Sequence, residues 1–285
     1  MRRILVIALM LACLSARAED IFVARYNQRE PWSEYIVELL TEALARAPGA
    51  EPDHLHWLDL RMNQDRAFTL LRSTEALDVY WSMTSAAREQ GVIPVRIPLL
   101  KGLLGYRVLI IRKDAADRFK RIKTLDDLKS ISIGQGLDWP DTRIMSASGL
   151  HVVTSGSYET LYNMLKAGRF DGIALGANEV DDELAKQNDP DLMIEKTVAI
   201  AYPAPVFFFV TPRKKALAER IEKGLRIMME DGSFNAIFDK RWRKSLIENN
   251  TKDRLIFHLP NPMQSPQTAE MIRQHPEYFF FPPGR

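Results

Sequence analysis

Short apolar runs that alternate with amphipathic helical patterns constrain this chain more than any other feature. Residues 21–24, 55–58, 77–81, 106–111, 131–133, 151–153, 172–175 and 207–210 read as buried strands. Helical patterns fill the gaps. Pro31 and Ser33 open one helix with Ile36, Leu39, Leu40, Ala43 and Leu44 on one face, and Pro48-Gly49 stops it. Asp65–Arg72 reads as a second, Thr124 and Ser157 cap two more, and Asn178 is placed to cap 179–186. Ala216, Leu217, Ile221, Leu225 and Met228 mark a long amphipathic helix, and Phe234, Ile237, Phe238 and Trp242 another. This alternation predicts an α/β protein. A second strand–helix set begins near Gly105 without repeating the first in sequence, so two lobes joined by extended strands are expected.

The two ends read differently. Arg2-Arg3, the apolar run from Ile4 to Leu14 and Ala16-Arg17-Ala18 form a secretory signal, with residues 1–18 removed on export. Cleavage would take away Arg2, Arg3 and Arg17, so Lys+Arg falls from 39 to 36 against 37 Asp+Glu, and the net charge moves from +2 to −1. That balance gives no argument for a nucleic acid or an acidic membrane as partner. The single cysteine, Cys13, leaves with the leader, which removes disulfides, thiol nucleophiles and Cys-based metal sites. No later run is long and apolar enough to span a bilayer. From Asn250, Pro260, Pro262, Pro266, Pro276, Pro282 and Pro283 argue against regular structure, while Phe257 and Tyr278–Phe281 are too apolar for a solvated linker. The expected organisation is 19–105 with 206–249 as lobe 1, 106–205 as lobe 2, and 250–285 as an arm on the surface.

Four stretches in this order resemble the type II periplasmic binding fold, closest to the family 3 extracytoplasmic solute-binding proteins. They are Leu77-Asp78-Val79-Tyr80-Trp81-Ser82-Met83-Thr84-Ser85-Ala86-Ala87-Arg88; Tyr106–Lys113; Thr124–Leu128 with Ile133-Gly134-Gln135-Gly136; and Leu165–Gly172 together with Glu230–Phe234 and Trp242. The resemblance implies a two-lobed α/β protein of the amino-acid-binding type, its lobes joined by two crossover strands, plus the Pro/aromatic-rich C-terminal arm. It further implies hinge closure around a ligand and a periplasmic location.

In relatives the arginine matching Arg88 holds the ligand's carboxylate, and a guanidinium offers the planar fork such a grip needs. The plain alternative is a surface arginine paired with Glu89. Ser82 and Thr84 stand two apart in extended chain, so both hydroxyls would face the same way and flank the anion, although they fall one residue closer to Arg88 than in relatives. Gly136, at a strand-to-helix turn, would let a ligand approach backbone N–H groups. Relatives carry a small hydroxyl residue after this glycine, whereas Leu137-Asp138-Trp139 stands here. Asp138 or Asp141 could receive a cationic group and Trp139 stack on it, or Asp141 and Thr142 could only cap a helix opened by Pro140. Relatives bind an ammonium with an aspartate where this chain has Gly176-Ala177-Asn178-Glu179; Asn178 or Glu179 would substitute, or both serve the helix start. Trp81, Tyr26, Trp32 and Tyr202 are candidate aromatic walls, against the commoner reading as core. His54-x-His56 is half of a metal site at most, so neither metal nor cofactor is expected.

The expected function is non-enzymatic capture of a small polar, carboxylate-bearing solute by a monomer that serves an inner-membrane ABC-type transporter. A ligand-sensing accessory for a membrane kinase or cyclase, or a dehydratase-like enzyme on the same scaffold, are the alternatives.

Overall fold

The computed structural model describes residues 20–25, 32–47, 54–59, 64–73, 76–137, 139–249 and 251–280. The leader, Tyr26, Asp138 and the last five residues lie outside the described residues. In chain order the elements are β1 (Asp20–Arg25), α1 (Ser33–Arg46), β2 (His54–Asp59), α2 (Gln64–Ser73), β3 (Val79–Met83), α3 (Ala86–Glu89) and β4 (Ile93–Val95). Next come β5 (Tyr106–Arg112), α4 (Ala116–Lys120), α5 (Leu125–Lys129), β6 (Ser132–Gly136), α6 (Pro140–Ala147), β7 (His151–Ser155) and α7 (Tyr158–Lys166). The chain continues through β8 (Gly172–Gly176), α8 (Val180–Gln187), β9 (Leu192–Ile194), β10 (Val198–Ala201), β11 (Val206–Val210), α9 (Lys215–Glu230) and α10 (Ser233–Glu248). It ends with β12 (Leu255–His258) and α11 (Pro266–Gln274).

Two sheets result. The first runs β2-β1-β3-β11-β4, with β1 parallel to β2 and β3 and the returning β11 antiparallel to β3 and β4. The second runs β12-β10-β5-β8-β6-β7, with β9 added beside β5. The chain leaves the first sheet after β4 and returns between β10 and β11, which gives the two-lobed architecture its two connections. β11 is apolar at every position because it is buried on both faces: α1 and α9 cover one side and α2 and α11 the other. α1 and α9 touch backbone to backbone at Gly224, where an added Cβ would collide with the Ala43 carbonyl.

Local chemistry fixes the helix starts. Thr124 and Asp127 form a reciprocal capping box at α5, and the Ser157 hydroxyl accepts from the Thr160 N–H at α7. Two expectations are corrected. Asn178 does not cap the following helix, since α8 begins at Val180 with Glu179 at the cap position and no side-chain cap bond. The proline-rich tail is also regular over much of its length. Pro266 and Pro276 occupy first-turn positions of α11 and of the 3-10 turn Pro276–Tyr278, where a missing N–H costs no helical bond. The tail's β12 pairs in parallel with β10 from Val198↔Leu255 to Ala201↔His258.

Candidate functional site

A cleft of about 140 Å³ lies between the two sheets. Trp32, Gln64, Ser82, Met83, Arg88 and Leu104 line it from one side, and Arg107, Trp139, Pro140, Asp141, Tyr158 and Glu179 from the other.

On the first wall, β3 ends at Met83 and α3 turns Arg88 back over the strand end. Arg88 Nη1 donates to Ser82 Oγ at 3.0 Å and to the Met83 carbonyl at 2.8 Å, and Nη2 donates to Gln64 Oε1 at 2.6 Å. The guanidinium sits 5.7 Å from the Phe68 ring centroid. Glu89 does not pair with Arg88; its carboxylate takes Arg96 at 2.6 Å. Among the described residues, Ser82, the Met83 carbonyl and Gln64 thus help orient the Arg88 fork while it lines the cleft. Ser82 shares this wall. Thr84 does not: it lies one residue past the end of β3, so the alternation that would have aligned it with Ser82 has stopped. Its hydroxyl donates to Glu89 Oε1 at 2.6 Å and is buried. Trp81 faces away from Ser82 into the core with Val79 and Phe208. Trp32 is a wall residue, buried but for 4% of its surface.

The second wall is built around Arg107, a charge that precedes the apolar run 108–111 of β5. It is 2% exposed, and its Nη2 bonds Asp141 Oδ1 while Nη1 lies 3.4 Å from Glu179 Oε1. The Tyr202 hydroxyl donates to the same Asp141 oxygen, and its ring lies 5.7 Å from the Arg107 guanidinium. Burial opposes the Arg107 charge, but Asp141, Tyr202 and Glu179 outweigh it and hold the guanidinium protonated more firmly than usual. Glu179 also accepts from the Gly176 N–H at 3.0 Å. Burial nevertheless raises its carboxyl above the ordinary range, against the opposing pull of Arg107. Burial likewise pushes the Tyr158 phenol up, helped by the Glu179 charge.

The turn at Gly136 differs from expectation. The Trp139 indole occupies the space beside Gly136 where a ligand was to approach, and an added Cβ there would strike the ring. Trp139 then packs on Tyr158 at 5.1 Å between centroids and forms cleft wall over the turn. Asp141 serves neither as helix cap nor as an open cation receptor, because Arg107 and Tyr202 hold it; Thr142 Oγ1 donates to the Gly136 carbonyl at 2.8 Å. Tyr202 is therefore a supporting residue rather than a wall. Asn178 is 3% exposed and is not among the cleft-lining residues; its backbone carbonyl accepts from Trp242 Nε1 at 3.0 Å. Both of its amide side-chain atoms lack a hydrogen-bond partner among the described residues.

Sequence reasoning missed Gln64, Arg107 and Tyr158. Arg107 had a signal, since an arginine in a strand of buried apolar residues must bring its own counter-charge. Gln64 and Tyr158 begin helices and carry no mark that separates them from other first-turn residues. Among the described residues no cluster of His, Cys, Asp and Glu is arranged to hold a metal. His56 Nε2 instead meets Asp20 at 2.7 Å on an exposed strand.

The arrangement of two sheets around a cleft is that of the type II periplasmic binding fold. No family model matches the chain, and no curated protein matches it in sequence. Solved structures do match. A variant of the arginine-binding protein ArgBP of T. maritima has a TM-score of 0.53 at 21% identity, covering 79% of this chain and 95% of that one. A structure from work on glutathione import through GshT and the cystine ABC importer TcyBC of Streptococcus mutans scores 0.56 at 13% identity over 80% and 96%. The ancestral amino acid-binding protein AncCDT-1, a precursor of cyclohexadienyl dehydratase, scores 0.54 at 15% identity over 78% and 95%. Each neighbour is covered almost whole, while about a fifth of this chain extends beyond the match.

Proposed function

We propose that this chain is a periplasmic solute-binding protein that captures a small carboxylate-bearing ligand by hinge closure and presents it to an ABC-type importer. The observation that carries this reading is the charge layout of the cleft. The Arg88 guanidinium, which donates to Ser82, Met83 and Gln64 among the described residues, stands on one wall. The opposite wall carries one arginine against two carboxylates. A ligand with an anionic end and a hydrogen-bond-donating or cationic end satisfies both walls, the first by two parallel bonds to Arg88 and the second by Glu179. The fold's neighbours include proteins described as binding arginine or as taking part in glutathione import, which supports a small polar solute. Closure of the two sheets around the ligand would bury it and strengthen both contacts.

The test is thermal unfolding in the presence of L-amino acids, glutathione and short dicarboxylates. A ligand at a hundredfold excess over its Kd adds about 2.7 kcal/mol, which for a chain of this size is a Tm rise of about 8 °C. Arg88→Ala removes that rise, while loss of the bonds to Ser82, Met83 and Gln64 lowers the unliganded Tm by about 4 °C. An undiminished shift in Arg88→Ala overturns the assignment.

One observation favours a second reading. Glu179 is a buried cleft carboxyl with a raised pKa, which suits a general acid. A dehydratase-like activity predicts turnover of prephenate-like substrates that Glu179→Gln abolishes. Ligand binding without turnover leaves the capture function.

A further inference from the structure

Arg88 is only as well placed as the short helix that carries it. α3 spans four residues, too few to hold itself, so its position is set from outside. Arg72 supplies one support, donating from Nε to the Gln90 carbonyl at 2.8 Å and from Nη2 to the Ala87 carbonyl at 3.2 Å. The larger support comes from the C-terminal segment. The Ala86 N–H, at the start of α3, donates to the Met263 carbonyl at 2.8 Å. Glu89, the residue after Arg88, has a side chain only 7% exposed and accepts two donors on each oxygen. Oε1 takes the hydroxyls of Thr84 and Thr268, both at 2.6 Å. Oε2 takes Arg96 at 2.6 Å and the Ser265 hydroxyl at 2.8 Å. Ser265 and Thr268 belong to the first turn of α11, and both are buried.

The same segment is anchored at its other end in the second sheet. β12 pairs with β10, the Leu259 N–H donates to the Ala201 carbonyl at 2.8 Å, and Asn261 Nδ2 donates to the Pro203 carbonyl at 2.7 Å. Beyond α11, the Phe280 N–H reaches the Lys101 carbonyl at 2.8 Å. Residues 255–280 therefore run from the second sheet, along the 202–205 crossover, to the turn that bears Arg88.

We propose that Glu89 is a positioning residue for Arg88, and that the C-terminal segment is an added brace between the lobes which acts on the binding site through that carboxylate. The proposal rests on Arg88 being the ligand's anchor, but its mechanical part does not depend on any ligand. A carboxylate that collects hydroxyls from α11 and from Thr84 locks the receptor turn and the brace into one unit, so loosening either loosens both. Because the brace is fixed in both sheets, it also limits how far the lobes can part around the crossover.

Thr268→Val in the full chain keeps the shape of the buried side chain and deletes one hydroxyl. Backbone amide exchange, measured by mass spectrometry without ligand, is expected to quicken about tenfold both in 263–272 and in 84–90. β6 and β7 in the second sheet should exchange at the wild-type rate. Thr268→Ser, which restores the hydroxyl, should return both segments to wild type. Faster exchange confined to 263–272, or no change in either segment, overturns the proposal. If Thr268→Val does not fold, Glu89→Gln serves, since it keeps the shape and weakens all four contacts; unchanged exchange in 263–272 then counts against the proposal. A failed ligand screen leaves these outcomes intact, and retained ligand binding in Arg88→Ala sinks the ligand reading without touching the brace.

Discussion

Replacing Arg107 by methionine probes the second wall where it is least able to adapt. The side chain is 3% exposed and faces Asp141 and Glu179, which are 8% and 16% exposed. Methionine fills most of the volume of the arginine stem, so packing loss is small and the charge is what disappears. Two carboxylates are then left near each other in a buried site without their cation. Removing one partner of a buried pair costs about 3–5 kcal/mol. At about 2–4 °C per kcal/mol for a chain of this size the Tm should fall by about 10 °C at neutral pH. The sign of the pH dependence follows from the same picture. Burial already raises the Glu179 carboxyl and Arg107 opposes that rise, so without the guanidinium the deficit grows as pH rises past about 4 and shrinks on acidification, as a proton replaces the missing cation. Differential scanning calorimetry of both proteins from pH 4.5 to 8 reads this directly, and Arg107→Met with Asp141→Asn should recover more than half of the loss. A deficit under about 2 °C at neutral pH, or one independent of pH, would refute the reasoning.

Three further outcomes follow from particular contacts. Gly136→Ala should displace the Trp139 indole, shifting tryptophan emission to the red and costing about 1–3 kcal/mol in urea unfolding; an unchanged spectrum would place the indole elsewhere. Gly224→Ala sets a methyl against the Ala43 backbone, which has no flexible side chain to yield, so it should cost at least as much in the same assay. Burial works against the Glu89 charge, yet bonds from Thr268, Thr84, Ser265 and Arg96 prevail and hold its carboxyl below the usual value. Its stabilisation is thus complete above the unfolded carboxylate pKa and lost as pH falls through the lower folded value. Amide protection of 263–272 should accordingly fall below about pH 4, and more gently in Glu89→Gln.

How much of this was legible beforehand differs between scaffold and site. β11 and β5 announced themselves because a strand covered on both faces has no polar side to present, and α1 and α9 because their apolar spacing repeats at the helical period. Arg88 was found because its surroundings resemble a known strand–loop–arginine sequence. Thr84 stands one residue past the end of β3, so the alternation that would have paired it with Ser82 no longer applies. Trp139 and Asp141 both line the cleft, but how they are held there was hidden for another reason. Their placement depends on partners distant in sequence, Tyr158 against the Trp139 ring and Arg107 against Asp141, and spacing rules cannot see such pairs.

The tail shows most clearly where composition misleads. Six prolines after residue 250 suggested a segment without regular structure, yet proline is hostile only to helix interiors and paired strand positions. Pro266 and Pro276 begin their turns, and Pro260 and Pro262 fall in the irregular connection between β12 and α11, Pro262 in a turn. The hydroxyls that matter, Ser265 and Thr268, stand at the helix start that Pro266 defines. Ser265 caps α11 through the Thr268 N–H at 3.0 Å while donating its own proton to Glu89. One serine thus closes a helix and joins it to a carboxylate 176 residues earlier. A capping serine followed by proline is a local signal that any reader of the sequence can find; that its hydroxyl proton is spent on the neighbour of Arg88 is a fact of three dimensions. The brace is therefore tested most directly by substitutions such as Thr268→Val that spare the cap and remove the long-range bond.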